Sequence, residues 1–145
     1  WLPKMNYLLW LDDKRFVDEE VKMPSVYDSL TRVTATNYDE FAGVILENGL
    51  PKVVSFDFAL HSRHYQIGAM NNFMSLAGYD KCDIKTGLDC VSFLIKYCLE
   101  NKLKIPVCYF HSQNPAGRQA MFDLITKYKA KELQNELENS QKTKE

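Results

Sequence analysis

The chain has no apolar run approaching the roughly 20 residues that a membrane span requires, which excludes a spanning helix on sequence grounds. It also lacks charge imbalance. A net charge of −1 and a pI near 6.4 argue against a nucleic-acid coat or a membrane-surface protein. Recognition of a single RNA end needs only a local patch and stays open. The four cysteines, Cys82, Cys90, Cys98 and Cys108, show no C-x-x-C spacing. They read as free buried thiols in a reducing cytoplasm rather than a disulfide framework or a zinc site. Cys90 and Cys98 fall in a helical pattern and Cys108 in a buried strand pattern. No secretory leader is evident, since Met5 is followed by Asn6 and the next apolar run ends in acids. A translated chain does not begin with Trp1, so residues 1–4 read as an appended or processed upstream piece. At 145 residues and 46% hydrophobic, the remainder is long enough for one domain with its own core.

Residues 5–11 read as a first strand, apolar enough to be buried on both faces. Residues 14–30 are charged at first and broken by Pro24, leaving room for a short helix around 25–30. The β-branched alternation of 31–36 predicts a second strand. Asn37 followed by Glu40 makes a capping-box start for a helix with Phe41, Val44 and Ile45 as its stripe and Asn48-Gly49 as its stop. Residues 52–58 form a third strand. A long connection over 59–85 follows, rich in His, Asn, Met and Gly, in which 67–76 reads as a short lid helix. Residues 87–102 are an amphipathic helix with Val91, Leu94, Tyr97 and Cys98 on one face. Residues 106–111 are a fourth strand. A last helix starts near Ala116, carries Met121, Leu124, Ile125 and Tyr128 as its stripe, and becomes charged from Lys127. The boundaries are an α/β domain over 5–130 and a charged helix end and tail over 131–145. This alternation predicts a parallel, doubly wound sheet with right-handed crossovers.

Three of the strands end in reactive side chains: LLWLDD in Asp12 and Asp13, VVSFD in Asp57, and IPVCYFHS in His111 and Ser112. In a parallel α/β sheet the residue just past a strand lies at the carboxyl edge, where ligands bind. Carboxylates gathered there suit Mg²⁺ or Mn²⁺, hard ions that take oxygen donors. A solvated, helix-capping turn is the plainer account of the acidic pair. Lys14 and Arg15 follow directly and offer a phosphate clamp, or simply surface charge. An imidazole at His111 is suited to general acid–base work. Ser112, Asn114 and the amides around Ala116 and Gly117 suggest an anion nest at a helix start, and Arg118 in its first turn suggests a bound anion. His61, Arg63 and His64 read as loop residues facing a substrate, with a zinc site between His61 and His64 as a weak alternative. Phe16, Tyr27, Phe41, Phe93 and Tyr97 read mostly as core.

Taken together, LLWLDDKR, VVSFDFAL, KTGLDCVSFLI and VCYFHSQNPAGRQAM resemble the cyclic-phosphate-processing receiver-like family, relatives of response-regulator receiver domains. The resemblance spans Asn6 to about Tyr128. It implies a receiver-like, flavodoxin-like sheet, here truncated to about four strands. It also implies a metal site at Asp12, Asp13 and Asp57, with Asp57 doubling as nucleophile or phosphoacceptor, and phosphate contact at Ser112. His111 is the histidine that sets the subfamily apart. The implied activity is a metal-dependent phosphoesterase acting on 2′,3′-cyclic phosphate ends of RNA or nucleotides, in RNA repair or phage–host conflict. The expected compartment is then the cytoplasm, that of the host if phage-encoded. The balanced charge and the short apolar runs add the expectation of no membrane partner and no bulk duplex DNA. Two departures stand out. No later strand ends in the phosphate-contacting lysine of full receivers, which argues against phosphorelay switching. The family's D-x-D-L reads D-F-A-L, with Ala59 in place of the second aspartate, so either the member is degenerate or its site is disabled. A non-catalytic module that binds a phosphate, nucleotide or protein is the alternative reading.

Overall fold

The computed structural model describes residues 6–14 and 23–144. Residues 1–5 and 15–22 lie outside the described residues, and with them the phosphate clamp expected at Arg15 and the core position expected at Phe16. Four parallel strands, β1 (Tyr7–Leu11), β2 (Thr31–Ala35), β3 (Val53–Phe56) and β4 (Val107–Phe110), form one sheet in the order β2-β1-β3-β4. The order follows from apolar content. β1 and β3 are buried along their whole length and take the two central places, as two-sided burial of parallel strands requires. β2 and β4 are partly exposed. The expectation that Cys108 lies in a buried strand is corrected here. β4 is an edge strand with Val107 44% exposed and Cys108 half-buried.

Helices α1 (Tyr38–Asn48), α3 (Gly87–Asn101) and α4 (Pro115–Lys144) accompany the strands. α3 packs against both α1 and α4. The main core joins Leu9, Leu11, Val54 and Phe56 of the sheet to Phe41, Ile45, Val91, Leu94, Met121 and Ile125 of these helices. A smaller cluster of Leu8, Trp10, Met23 and Val53 occupies the other face of the sheet. Asn37 caps α1 by accepting from the Glu40 amide. Glu40 returns not to Asn37 but one residue further back, to the amide and hydroxyl of Thr36. Gly49, at φ 83°, stops the helix where expected. Residues 25–30 hold only a 3-10 turn, Ser25–Tyr27. α4 runs without a break to Lys144, with Lys104 paired to Glu136 and the Ile105 amide donating to Glu132. The fraying tail expected from the charged composition is therefore helix. Among the described residues, no helix is long and apolar enough to cross a membrane. Burial keeps three of the free cysteines inert, raising the Cys90 thiol, pushing the Cys98 thiol up to about 11 and the Cys108 thiol up to about 12.

The connection 59–85 is ordered, and its helix starts earlier than expected. α2 spans Ser62–Met70, capped by His61, whose Nδ1 accepts from the Arg63 amide. Its inward residues are His64 and Gly68 rather than aliphatics, so apolar periodicity could not reveal it. Asn72 and Phe73 both adopt positive φ, ending the helix, and the Phe73 ring lies where a Cβ on Gly68 would be. His64 staples the connection closed. Its Nδ1 accepts from the Leu60 amide at 2.9 Å, and its Nε2–H donates to the Ile84 carbonyl at 2.8 Å. His64 is thus structural, not substrate-facing, and it shares no metal site with His61.

Burial holds the His64 imidazole below the ordinary histidine range, the Ile84 carbonyl opposing in part. Protonation would place a hydrogen on Nδ1 against the Leu60 N–H. In the unfolded chain this imidazole takes up a proton near pH 6.5. As pH falls through that value the unfolded state binds protons first, and stability drops. Urea denaturation at pH 7.5, 6.5 and 5.5 should show this loss. His64→Gln should flatten the slope, and an unchanged slope would remove His64 as its source.

Candidate metal centre at the carboxyl edge of the sheet

The parallel register aligns Leu11 with Phe56 and Phe56 with Phe110. The next residue on each strand is Asp12, Asp57 and His111, and the backbone ladder continues through them. Asp57 N–H donates to Leu11 O and His111 N–H to Phe56 O, each at 3.0 Å. Strand alternation puts all three on the face that carries Trp10, Ser55 and Tyr109 two residues earlier. One ligand atom from each of Asp12, Asp57 and His111 lies within 4.8 Å of the others, and all three residues are buried. Two buried carboxylates side by side call for positive charge. A divalent cation among oxygen and nitrogen donors meets that need, so the donor set fits a metal ion.

His111 reaches across β3 to β1. Its ring stacks on Trp10 with centroids 3.9 Å apart and planes 4° from parallel. Its Nε2 is 3.0 Å from Asp12 Oδ2, and its Nδ1 is 2.7 Å from Ser55 Oγ. The small Ser55 side chain on the intervening strand leaves room for this crossing. Both ring nitrogens therefore engage the protein interior. Asp12 Oδ1 also accepts from the Lys14 amide, and Asp57 Oδ1 accepts from the Phe58 amide at 2.8 Å.

Asp13 lies outside the three-residue group. Its carboxylate accepts from the Tyr65 hydroxyl at 3.1 Å, and burial holds its carboxyl above the usual range, with the Tyr65 bond opposing. Tyr65 was not singled out from sequence. It projects from α2 to the rim of the site, where burial and then the carboxylates of Asp57, Asp13 and Asp12 push its phenol upward, so it stays a hydrogen-bond donor. The exposed Lys14 ammonium sits 4.1 Å from the centre of its ring. Ser55, Trp10 and Tyr65 are thus the site residues that sequence reasoning missed. The one available signal was a polar serine inside the run VVSFD.

The expected anion nest does not form around α4. Asn114 Oδ1 accepts from the Gly117 amide, Asn114 O accepts from the Arg118 amide, and the Ala116 amide donates to Phe73 O. The helix start is thus capped by protein groups. Ser112 Oγ accepts from the Asn114 amide, and Arg118 turns back to donate to Ser112 O at 3.0 Å. Asn114 also donates to the Tyr79 hydroxyl, which itself donates to His64 O. Gly117 makes room for Phe58, since a Cβ there would lie 2.2 Å from its ring. These residues brace the site from behind. Ala59 is buried in the turn after β3, so an acid placed there would have to be paired.

Nothing matches the chain among curated proteins or among solved structures. One family model, that of the cyclic-phosphate processing receiver domain, matches residues 7–127. The chain belongs to that family.

Proposed function

We propose that this chain is a divalent-metal-dependent phosphoesterase that opens cyclic phosphates, with 2′,3′-cyclic nucleotides or RNA ends as substrates. The observation that carries this reading is the convergence of Asp12, Asp57 and His111 at the edge of the sheet. Mg²⁺ or Mn²⁺ held there supplies Lewis acidity and neutralises phosphate charge. The chain's own residues do the rest. Lys14, exposed at the rim, attracts the anion. Tyr65, whose one hydroxyl proton goes to Asp13 in the free chain, would exchange that bond for one to a non-bridging oxygen. A water forms one P–O bond, one ring P–O bond breaks, and the water's proton ends on the freed hydroxyl. The product is a phosphomonoester.

A second reading, a binding module without turnover, is favoured by one observation: an apolar Ala59 buried where the family motif carries an acid. One experiment separates the two. The chain and its Ala59→Asp variant are assayed on 2′,3′-cyclic nucleotides and cyclic-phosphate-ended RNA with Mg²⁺, Mn²⁺ or EDTA. Metal-dependent monoester release by either form is expected. Ligand binding with no release by either would leave the binding module as the account.

A further inference from the structure

His111 is more completely held than a residue that merely fills the sheet edge needs to be. Three separate contacts define its ring: Trp10 against one face, Ser55 at Nδ1 and Asp12 at Nε2. Metal-bound histidines show this pattern, in which the far nitrogen is hydrogen-bonded so that the near one points at the ion. The spacing agrees. Two donors on one ion, at bond lengths of about 2.1 Å and at right angles, stand about 3 Å apart. Asp12 Oδ2 and His111 Nε2 are 3.0 Å apart, and a ligand oxygen of Asp57 lies within the same 4.8 Å group. Ser55 accepts the Nδ1 proton when Nε2 carries the ion, and donates to Nδ1 when Nε2 holds the proton shared with Asp12. Its hydroxyl serves both states.

We propose that His111 is a direct nitrogen ligand of the metal, so that the site selects a first-row transition ion over Mg²⁺. This rests on the metal-centre reading above and assigns its donor set and ion class. Carboxylate and water ligands suit Mg²⁺ and Mn²⁺, whereas an imidazole in the set shifts the preference toward Fe²⁺, Co²⁺ or Zn²⁺. Mg²⁺ also asks for near-ideal octahedral oxygen coordination, which an imidazole held by Trp10 and Ser55 works against. His111 is then neither acid nor base toward the substrate. Ser55 and Trp10 are positioning residues.

The test is spectroscopic and needs no turnover. The full chain is loaded with Mn²⁺ and its electron spin-echo modulation is recorded, with Mg²⁺ and Co²⁺ affinities measured by competition. The expected result is a ¹⁴N coupling from a directly bound imidazole, lost in His111→Ala. The preference for Co²⁺ over Mg²⁺ should fall by about 100-fold or more in that variant, since even partners beyond the ligands are worth roughly 10–100-fold. Ser55→Ala should weaken Co²⁺ binding about tenfold while the ¹⁴N coupling persists. Should His111→Ala fail to fold, the wild-type spectrum decides alone. Mn²⁺ bound without ¹⁴N coupling overturns the ligand assignment and leaves the carboxylate site standing. No binding of any of these ions would sink the metal-centre reading as well.

Discussion

Asp57→Asn is expected to lower divalent-ion affinity, and metal-dependent turnover with it, by more than about 100-fold. The reasoning starts from shape. Asparagine is isosteric, and its Oδ1 can keep the bond from the Phe58 amide that Asp57 Oδ1 now accepts at 2.8 Å. The strand end is therefore preserved while one charged donor is lost from a group of three. Removing a group beyond the ligands already costs roughly 10–100-fold in affinity, so a direct ligand sets a larger effect. Stability provides an independent readout. An ion at 100 times its dissociation constant stabilises the native state by about 2.7 kcal/mol. Urea denaturation with and without Mn²⁺ should show that gain in the parent chain and little of it in Asp57→Asn. Equal ion-induced shifts in both proteins would remove Asp57 from the donor set.

Gly87→Ala should produce the largest loss of stability, about 3 kcal/mol, and should disturb the same site from the other side. α3 begins at Gly87, whose amide donates to Phe58 O at 2.8 Å. A Cβ there would lie 1.8 Å from Asp57 O, 2.8 Å from Asp57 C and 2.9 Å from Phe58 Cα. All three are backbone atoms, so no side chain can rotate aside. Either α3 retreats from the sheet, loosening Cys90, Val91 and Leu94, or the end of β3 moves and takes Asp57 with it. Overpacking of this kind reaches about 3 kcal/mol, whereas the helix-propensity gain of alanine over glycine is at most about 1 kcal/mol. The steric term wins. Gly43→Ala in α1, with nothing within 4 Å of the added carbon, should go the other way and stabilise by about 0.5–1 kcal/mol. Denaturation midpoints of the two variants check the contrast directly. A Gly87→Ala midpoint at the parent value would show that the helix start yields without cost.

Much of the fold was readable because β1, β3 and β4 are short apolar runs closed by polar residues and β2 is a β-branched alternation. The helices α1 and α3 carry their stripes and caps in plain view. α2 was misplaced because its buried residues are His64 and Gly68, which no hydrophobic period marks. The chain after β4 was misread in a more instructive way. Asn114 with Pro115 behind it is itself a helix-start signature, a side-chain cap followed by proline at the first helical position. That local cap takes the Gly117 amide, and the distant Phe73 carbonyl takes the Ala116 amide.

The sequence by itself determined the four strands, their parallel sense and the residues that stand at their ends, because period, length and punctuation are local properties of the chain. Only the tertiary structure decided which of those end residues meet. Asp12 turns toward His111, 99 positions away, while Asp13 turns toward Tyr65. His111 lies across β3 because Ser55 is small and Trp10 offers a flat face. The direction of a side chain past the end of a strand is set by neighbours from distant segments. No pattern within a few residues of Asp12 or His111 contains that information.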